Sequence, residues 1–187
     1  MIRIKLTNWD KGRNQATWLP FLMFSKQFHD MGVLFVEDGN YDFEFVGMYD
    51  FIDKQIPIEE SVQEGIRNLE SRTGNFFLFD GSDSTSLMGA YEVLMNTNAK
   101  CLFKNQLLQK QHYKKKTAFN KWFFGTGSDL DIGYDIPDTV YENKIKLTGW
   151  NLGYHPGNYH NFVDKNLEKD IDVCAAYHGE HPENYDH

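Results

Sequence analysis

Residues 76–85 read Phe76-Phe77-Leu78-Phe79-Asp80-Gly81-Ser82-Asp83-Ser84-Thr85. Four apolar residues in succession suit a central strand buried on both faces, because a strand with one wet face alternates. The run ends abruptly at Asp80, and Leu87, Tyr91, Leu94 and Met95 then fall at helical spacing. Strand, polar loop and helix in that order form the repeating unit of a parallel α/β sheet.

The same unit recurs on either side. Ile2, Ile4 and Leu6 alternate with Arg3 and Lys5, which predicts a strand over 2–7. A polar loop leads to a helix over 17–31, with Pro20 in its first turn and Gly32 as its stop. Apolar residues at 33–36 and 43–46 predict two short strands, the first over 33–37, joined by the turn residues Glu37-Asp38-Gly39-Asn40. Pro57 opens a helix over 59–73, in which Ile58, Val62, Ile66 and Leu69 form an apolar stripe. Gly74 stands where a left-handed C-cap belongs. Downstream, the pattern predicts a helix over 86–96, a strand over 99–103 and a helix over 106–113. The expected fold is α/β: a Rossmann-like three-layer sandwich with a mainly parallel central sheet, whose interior strands are 2–7, 33–37, 76–80 and 99–103. One domain is expected over 1–187, regular over 1–115 and irregular over 116–187. In the irregular part, 149–162 (GWNLGYHPGNYHNF) read as loop and one strand returns near 170–177.

Composition narrows the function classes. Aromatic residues make up 16% of the 187, enough large apolar surface for a core without disulfides or metal staples. Nineteen basic against 27 acidic residues give a net charge of −8, a field that repels nucleic acid and anionic lipid. No nucleic-acid or membrane partner is therefore expected. No apolar run approaches the roughly 18 residues of a membrane-spanning helix. The start, MIRIKLTNWD, lacks the apolar stretch of a signal peptide, so a cytoplasmic location is expected. Lys110, His112, Lys114, Lys115, Lys116 and Lys121 concentrate positive charge, as a solvated helix end or a site for an anion. Cys101 and Cys174 lie in apolar segments and read as buried thiols.

In an open α/β sheet, ligands gather at the carboxyl ends of the strands. Four loops are expected there: 8–15, 80–85, 104–105 and 125–129. The richest joins the central strand to its helix. Asp80 and Asp83 are candidate general bases, and Gly81, Ser82, Ser84 and Thr85 are candidate ligand-binding residues. The plainer reading is that Asp83, Ser84 or Thr85 caps the helix while Asp80 ends the strand. Lys11, Gly12, Arg13 and Asn14 follow the first strand, where loop amides and a helix start suit an anion. A plain turn explains them as well. That loop is neither a dinucleotide fingerprint nor a P-loop, so no cofactor is expected. Lys104 ends the next strand and completes the set. The Asp-x-x-Asp spacing differs from the Asp-x-Asp of metal-dependent sugar transferases. The histidines at 155, 160, 178, 181 and 187 lack ligand spacing, so no metal is expected.

The stretches FFLFDGSDSTSLMGAYEVL, AKCLFKNQLL, IKLTGWNLGY and IDVCAAYH together resemble the N-terminal half of B-type-fold glycosyltransferases. The resemblance runs over about residues 1–180 in pattern, nearest to a spore-maturation-like or viral and marine-microbial group. In such enzymes the N-terminal domain holds the acceptor and a second domain holds the nucleotide-sugar. The resemblance therefore implies an acceptor-binding half, and a truncated gene product whose donor-binding half is missing. Its implied partners are a sugar acceptor and, through the missing domain, a nucleotide-sugar. A stand-alone Rossmann-like binding protein, and a metal-dependent hydrolase or phosphotransferase using Asp80 and Asp83, stay open beside it. Trp150, Tyr154, Tyr159 and Phe162 would leave an aromatic patch for a partner, and a homodimer is expected to cover it.

Overall fold

In the computed structural model, residues 1–9, 14–53, 55–72, 74–81, 86–87, 89–107, 109–113 and 135–148 are described. They belong to one compact unit, Met1–Gly153. Six strands carry it: β1 (Ile2–Leu6), β2 (Val33–Val36), β3 (Phe43–Gly47), β4 (Phe76–Asp80), β5 (Leu102–Lys104) and β6 (Ile145–Leu147). They form one parallel sheet in the order β2-β1-β3-β4-β5-β6. The α/β Rossmann-like arrangement expected from the alternating pattern is what the chain adopts.

Alternation along the strands gives the sheet two different faces. One is aromatic: Ile4, Leu6, Phe35, Phe45, Phe77, Phe79 and Phe103 pack with Trp18 and Phe21. Those last two come from α1 (Asn14–Met23), which is followed at once by α2 (Ser25–Asp30). Trp18 meets the Phe79 ring edge-on at 5.3 Å, and Phe79 stacks on Phe103 at 4.7 Å, geometries that suit the ring quadrupoles. The other face is largely aliphatic. Val46, Leu78, Leu102 and Ile145 pack there with Val62 and Leu69 of α3 (Ile58–Glu70) and Val93 and Leu94 of α4 (Ala90–Asn96). Tyr113 of α5 (Lys110–Tyr113) joins this core fully buried, and Tyr141 of α6 (Asp138–Lys144) packs against it.

Several local expectations are corrected. The segment 33–37, read as an interior strand, supplies the sheet's edge strand β2, whose four residues are all half-buried. An edge strand with one covered face looks like a central one when both faces carry apolar side chains. The helix placed over 17–31 starts at Asn14, contains Pro20 in its interior rather than its first turn, and breaks at Phe24. Gly32 does end α2, with φ +86°. Gly74 is no left-handed cap: α3 stops at Glu70, and the Leu69 carbonyl accepts the Arg72 N–H at 3.0 Å. The helix expected over 86–96 begins only at Ala90, because Gly89 takes φ +82° and its N–H donates to the Glu92 carboxylate at 2.7 Å. The strand placed over 99–103 starts at Leu102, although Lys100 already donates its N–H to the Phe76 carbonyl at 2.9 Å. Strand β6 and α6 were not anticipated at all. The returning strand near 170–177, the loop 149–162 and Cys174 lie outside the described residues.

The link from β2 to β3 is unusually short for a parallel crossover, which ordinarily takes a dozen or more residues. Register explains it. Val36 ends β2 opposite Lys5, and Phe43 starts β3 opposite Ile4, so the chain retraces almost nothing as it passes β1. Arg3 fastens this link: its side-chain Nε donates to the Asn40 carbonyl at 2.6 Å, and its backbone N–H donates to Asp42 at 2.8 Å.

Candidate functional site at the carboxyl edge of the sheet

Strand order decides where a ligand belongs. The chain steps from β1 to β2 on one side and places every later strand on the other, so the direction reverses between β1 and β3. A crevice opens at such a switch point, outside the carboxyl ends of the strands.

At the end of β1, Thr7 and Asn8 meet Asp50, which lies in a short 3-10 turn (Met48–Asp50) after β3. The Thr7 hydroxyl donates to Asp50 Oδ2 at 2.7 Å, and Asn8 Nδ2 donates to Asp50 Oδ1 at 2.6 Å. Gly47 donates its N–H to Thr7 Oγ1 at 3.3 Å, and Trp18 donates its indole N–H to the Thr7 carbonyl at 2.8 Å. Asn8 adopts φ 44°, a left-handed conformation that asparagine tolerates better than most residues. These contacts tie β1, β3 and α1 into one rigid corner.

Asn14, the first residue of α1, is only 3% exposed, and its amide lies directly over Gly47. A β-carbon at 47 would overlap Asn14 Oδ1, so the glycine is what admits the amide. Among the described residues, Asn14 Oδ1 is buried without a hydrogen-bond partner. Two strands away, Asn105 continues the β5 ladder by donating its N–H to the Asp80 carbonyl at 3.0 Å. Its side-chain Nδ2 is likewise buried with no acceptor among the described residues. Glu44 Oε1 is a different case. No hydrogen bond meets it, yet it is ion-paired with Arg72 at 2.5 Å and Lys5 at 3.5 Å, so its charge is compensated.

Asp80 and Lys104 do come together, as the sequence reading anticipated, and they do so by pairing with each other. Lys104 Nζ donates to Asp80 Oδ2 at 2.8 Å, with side chains 0% and 4% exposed. Adjacent parallel strands in register force this meeting, since Asp80 stands opposite Lys104. Asp80 shares the aliphatic face with Phe76 and Leu78, whereas Asn14 sits on the aromatic face over Gly47. The two halves of the expected cleft thus lie on opposite sides of the sheet's carboxyl edge. Gly81 follows β4, half-buried. Lys11, Gly12, Arg13, Ser82, Asp83, Ser84 and Thr85 lie outside the described residues.

Sequence reasoning singled out none of Thr7, Asn8, Gly47, Asp50 and Asn105, although Asn8 and Asn105 fall in the loops 8–15 and 104–105 expected at that edge. Position alone pointed to Thr7, Asn8 and Asn105, each just past the apolar part of a strand. Nothing in the sequence marked Asp50, which is brought in by the 3-10 turn. Among the described residues, no three His, Cys, Asp or Glu side chains group closely enough to hold a metal ion. None of the helices searched is long and apolar enough to cross a membrane. No family model, no curated protein and no solved structure matches the chain.

Proposed function

We propose that this domain binds a small hydroxyl-rich molecule, a sugar or sugar-like acceptor, at the carboxyl edge of its sheet. The observation that carries the reading is the pair of buried, unsatisfied amides, Asn14 and Asn105. Leaving a buried polar atom unpaired costs about 1–3 kcal/mol, so two of them at the carboxyl edge of the sheet argue for a ligand that completes them. A hydroxyl group both donates and accepts, so one kind of group serves Asn14 Oδ1 and Asn105 Nδ2 alike. Asn14 of α1 lies over Gly47 at the end of β3 and Asn105 directly follows β5, strands two spacings or about 10 Å apart, a span that suits a sugar ring or two.

Asp80 favours binding over catalysis within this domain. A general base must reach the proton it removes, and this carboxylate is buried and held by the Lys104 ammonium. In the transferase reading suggested by the sequence resemblance, the chain holds the acceptor while a donor-side domain supplies the activated sugar. The test is a thermal titration with mono- and disaccharides and with nucleotide-sugars. Binding raises stability by about 2.7 kcal/mol at a hundredfold excess over Kd. The expected result is a rise with a sugar that Asn14→Ala and Asn105→Ala each abolish. No rise with any of these compounds, or an undiminished rise in both variants, overturns the reading.

A further inference from the structure

A second feature sits beside that edge and is independent of the sugar reading. A pocket of about 240 Å³ opens at the carboxyl ends of β1 and β2, lined by Leu6, Trp9, Leu22, Phe35, Val36 and Glu37. Five of the six are apolar. Leu6 is buried at 2% exposure, and Trp9 is half-buried. Among the described residues, the Trp9 indole makes no ring contact or hydrogen bond, and exposed Glu37 makes no ion pair. Asp38, also exposed, follows directly.

We infer that this pocket binds a small hydrophobic ammonium compound, its apolar body against Leu6, Leu22, Phe35 and Val36 and its cation between Trp9 and Glu37. Volume limits the apolar part, because a cavity of about 150 Å³ lined by apolar side chains already accepts a benzene ring. Charge chooses the polar part. Glu37 supplies negative charge in the lining, with Asp38 next to it in the chain, and the net charge of −8 adds to the attraction for a cation. Tryptophan is the best aromatic partner for a cation, which it attracts within about 6 Å of the ring centroid. An anionic ligand of the same shape would meet the carboxylates instead and is disfavoured.

The test compares 2-phenylethylammonium with 2-phenylethanol, its neutral counterpart, by calorimetric titration of the full chain. The ammonium compound is expected to bind saturably and about fivefold or more tightly than the alcohol, from one exposed ion pair plus one cation–π contact. Glu37→Gln, at an exposed position, is expected to erase most of that preference while leaving the alcohol's affinity unchanged. Trp9→Ala is expected to weaken both compounds, and raised salt to shrink the preference. Absence of saturable binding by either compound, equal affinities in the native chain, or a preference intact in Glu37→Gln overturns the inference. Asn14→Ala is expected to retain ammonium binding, so failure of the sugar site and failure of this pocket are told apart.

Discussion

Lys104 is fully buried, and the carboxylate of Asp80 lies against its ammonium. Taking both ions from water costs several kcal/mol each, offset here by the 2.8 Å contact with Asp80. Lys104→Met alone leaves the carboxylate buried without its cation and is expected to cost about 3–5 kcal/mol in urea unfolding. Asp80→Leu combined with Lys104→Met removes both charges, and this double variant is expected to recover at least half of that loss. Cys101 offers a second residue-level prediction. Burial raises its thiol pKa, opposed by Lys146 and by a backbone hydrogen bond at Leu102. Since the thiolate is the nucleophile, alkylation of Cys101 at pH 8 is expected to run well below the rate of a free cysteine. Mass spectrometry of a Cys174→Ser variant treated with iodoacetamide checks it. A rate equal to that of glutathione would contradict the burial.

Helix α3 shows how an element is positioned by what one of its residues lacks. Val62 and Leu69 turn to the core, Glu59 and Glu60 sit in the first turn and Arg67 in the last, an arrangement that suits the helix dipole. The stripe was legible in the sequence at its 3.6-residue period. The close approach at Gly65 was not: a β-carbon there would run into the Phe51 backbone carbonyl. Gly65→Ala is therefore expected to destabilise by about 1–3 kcal/mol, because backbone cannot yield as a side chain does. Gly74 has nothing within 4 Å of where a β-carbon would stand and no left-handed φ. Gly74→Ala is expected to lie within about 0.5 kcal/mol of the native chain. Paired denaturant melts compare the two, and equal losses would show that crowding at Gly65 is not what separates them.

Among the described residues, burial shifts three pKa values, all upward. Burial raises the phenol pKa of Tyr91, helped by Glu92 and Asp135, and burial raises those of Tyr141 and the Cys101 thiol. Each group favours its neutral form in the fold, so below its ordinary value it leaves stability unchanged. Above about pH 9–10 the unfolded chain releases these protons first, and stability falls as pH rises. Urea melts from pH 7 to pH 11 are expected to show that decline, and Tyr91→Phe with Tyr141→Phe to soften it. A flat profile would contradict the shared direction. Much of this molecule could be read before its structure. Strand β4 at 76–80, the helix stripe of α3 and the parallel α/β class follow from local periodicity, because side-chain spacing of two or 3.6 residues is written directly in the chain. The edge position of β2, the pairing of Asp80 with Lys104 and the placing of Asn14 over Gly47 were decided only by tertiary structure. Each depends on which strands become neighbours and in what register, and those contacts join residues 24 to 33 positions apart in a chain whose local pattern is silent about partners.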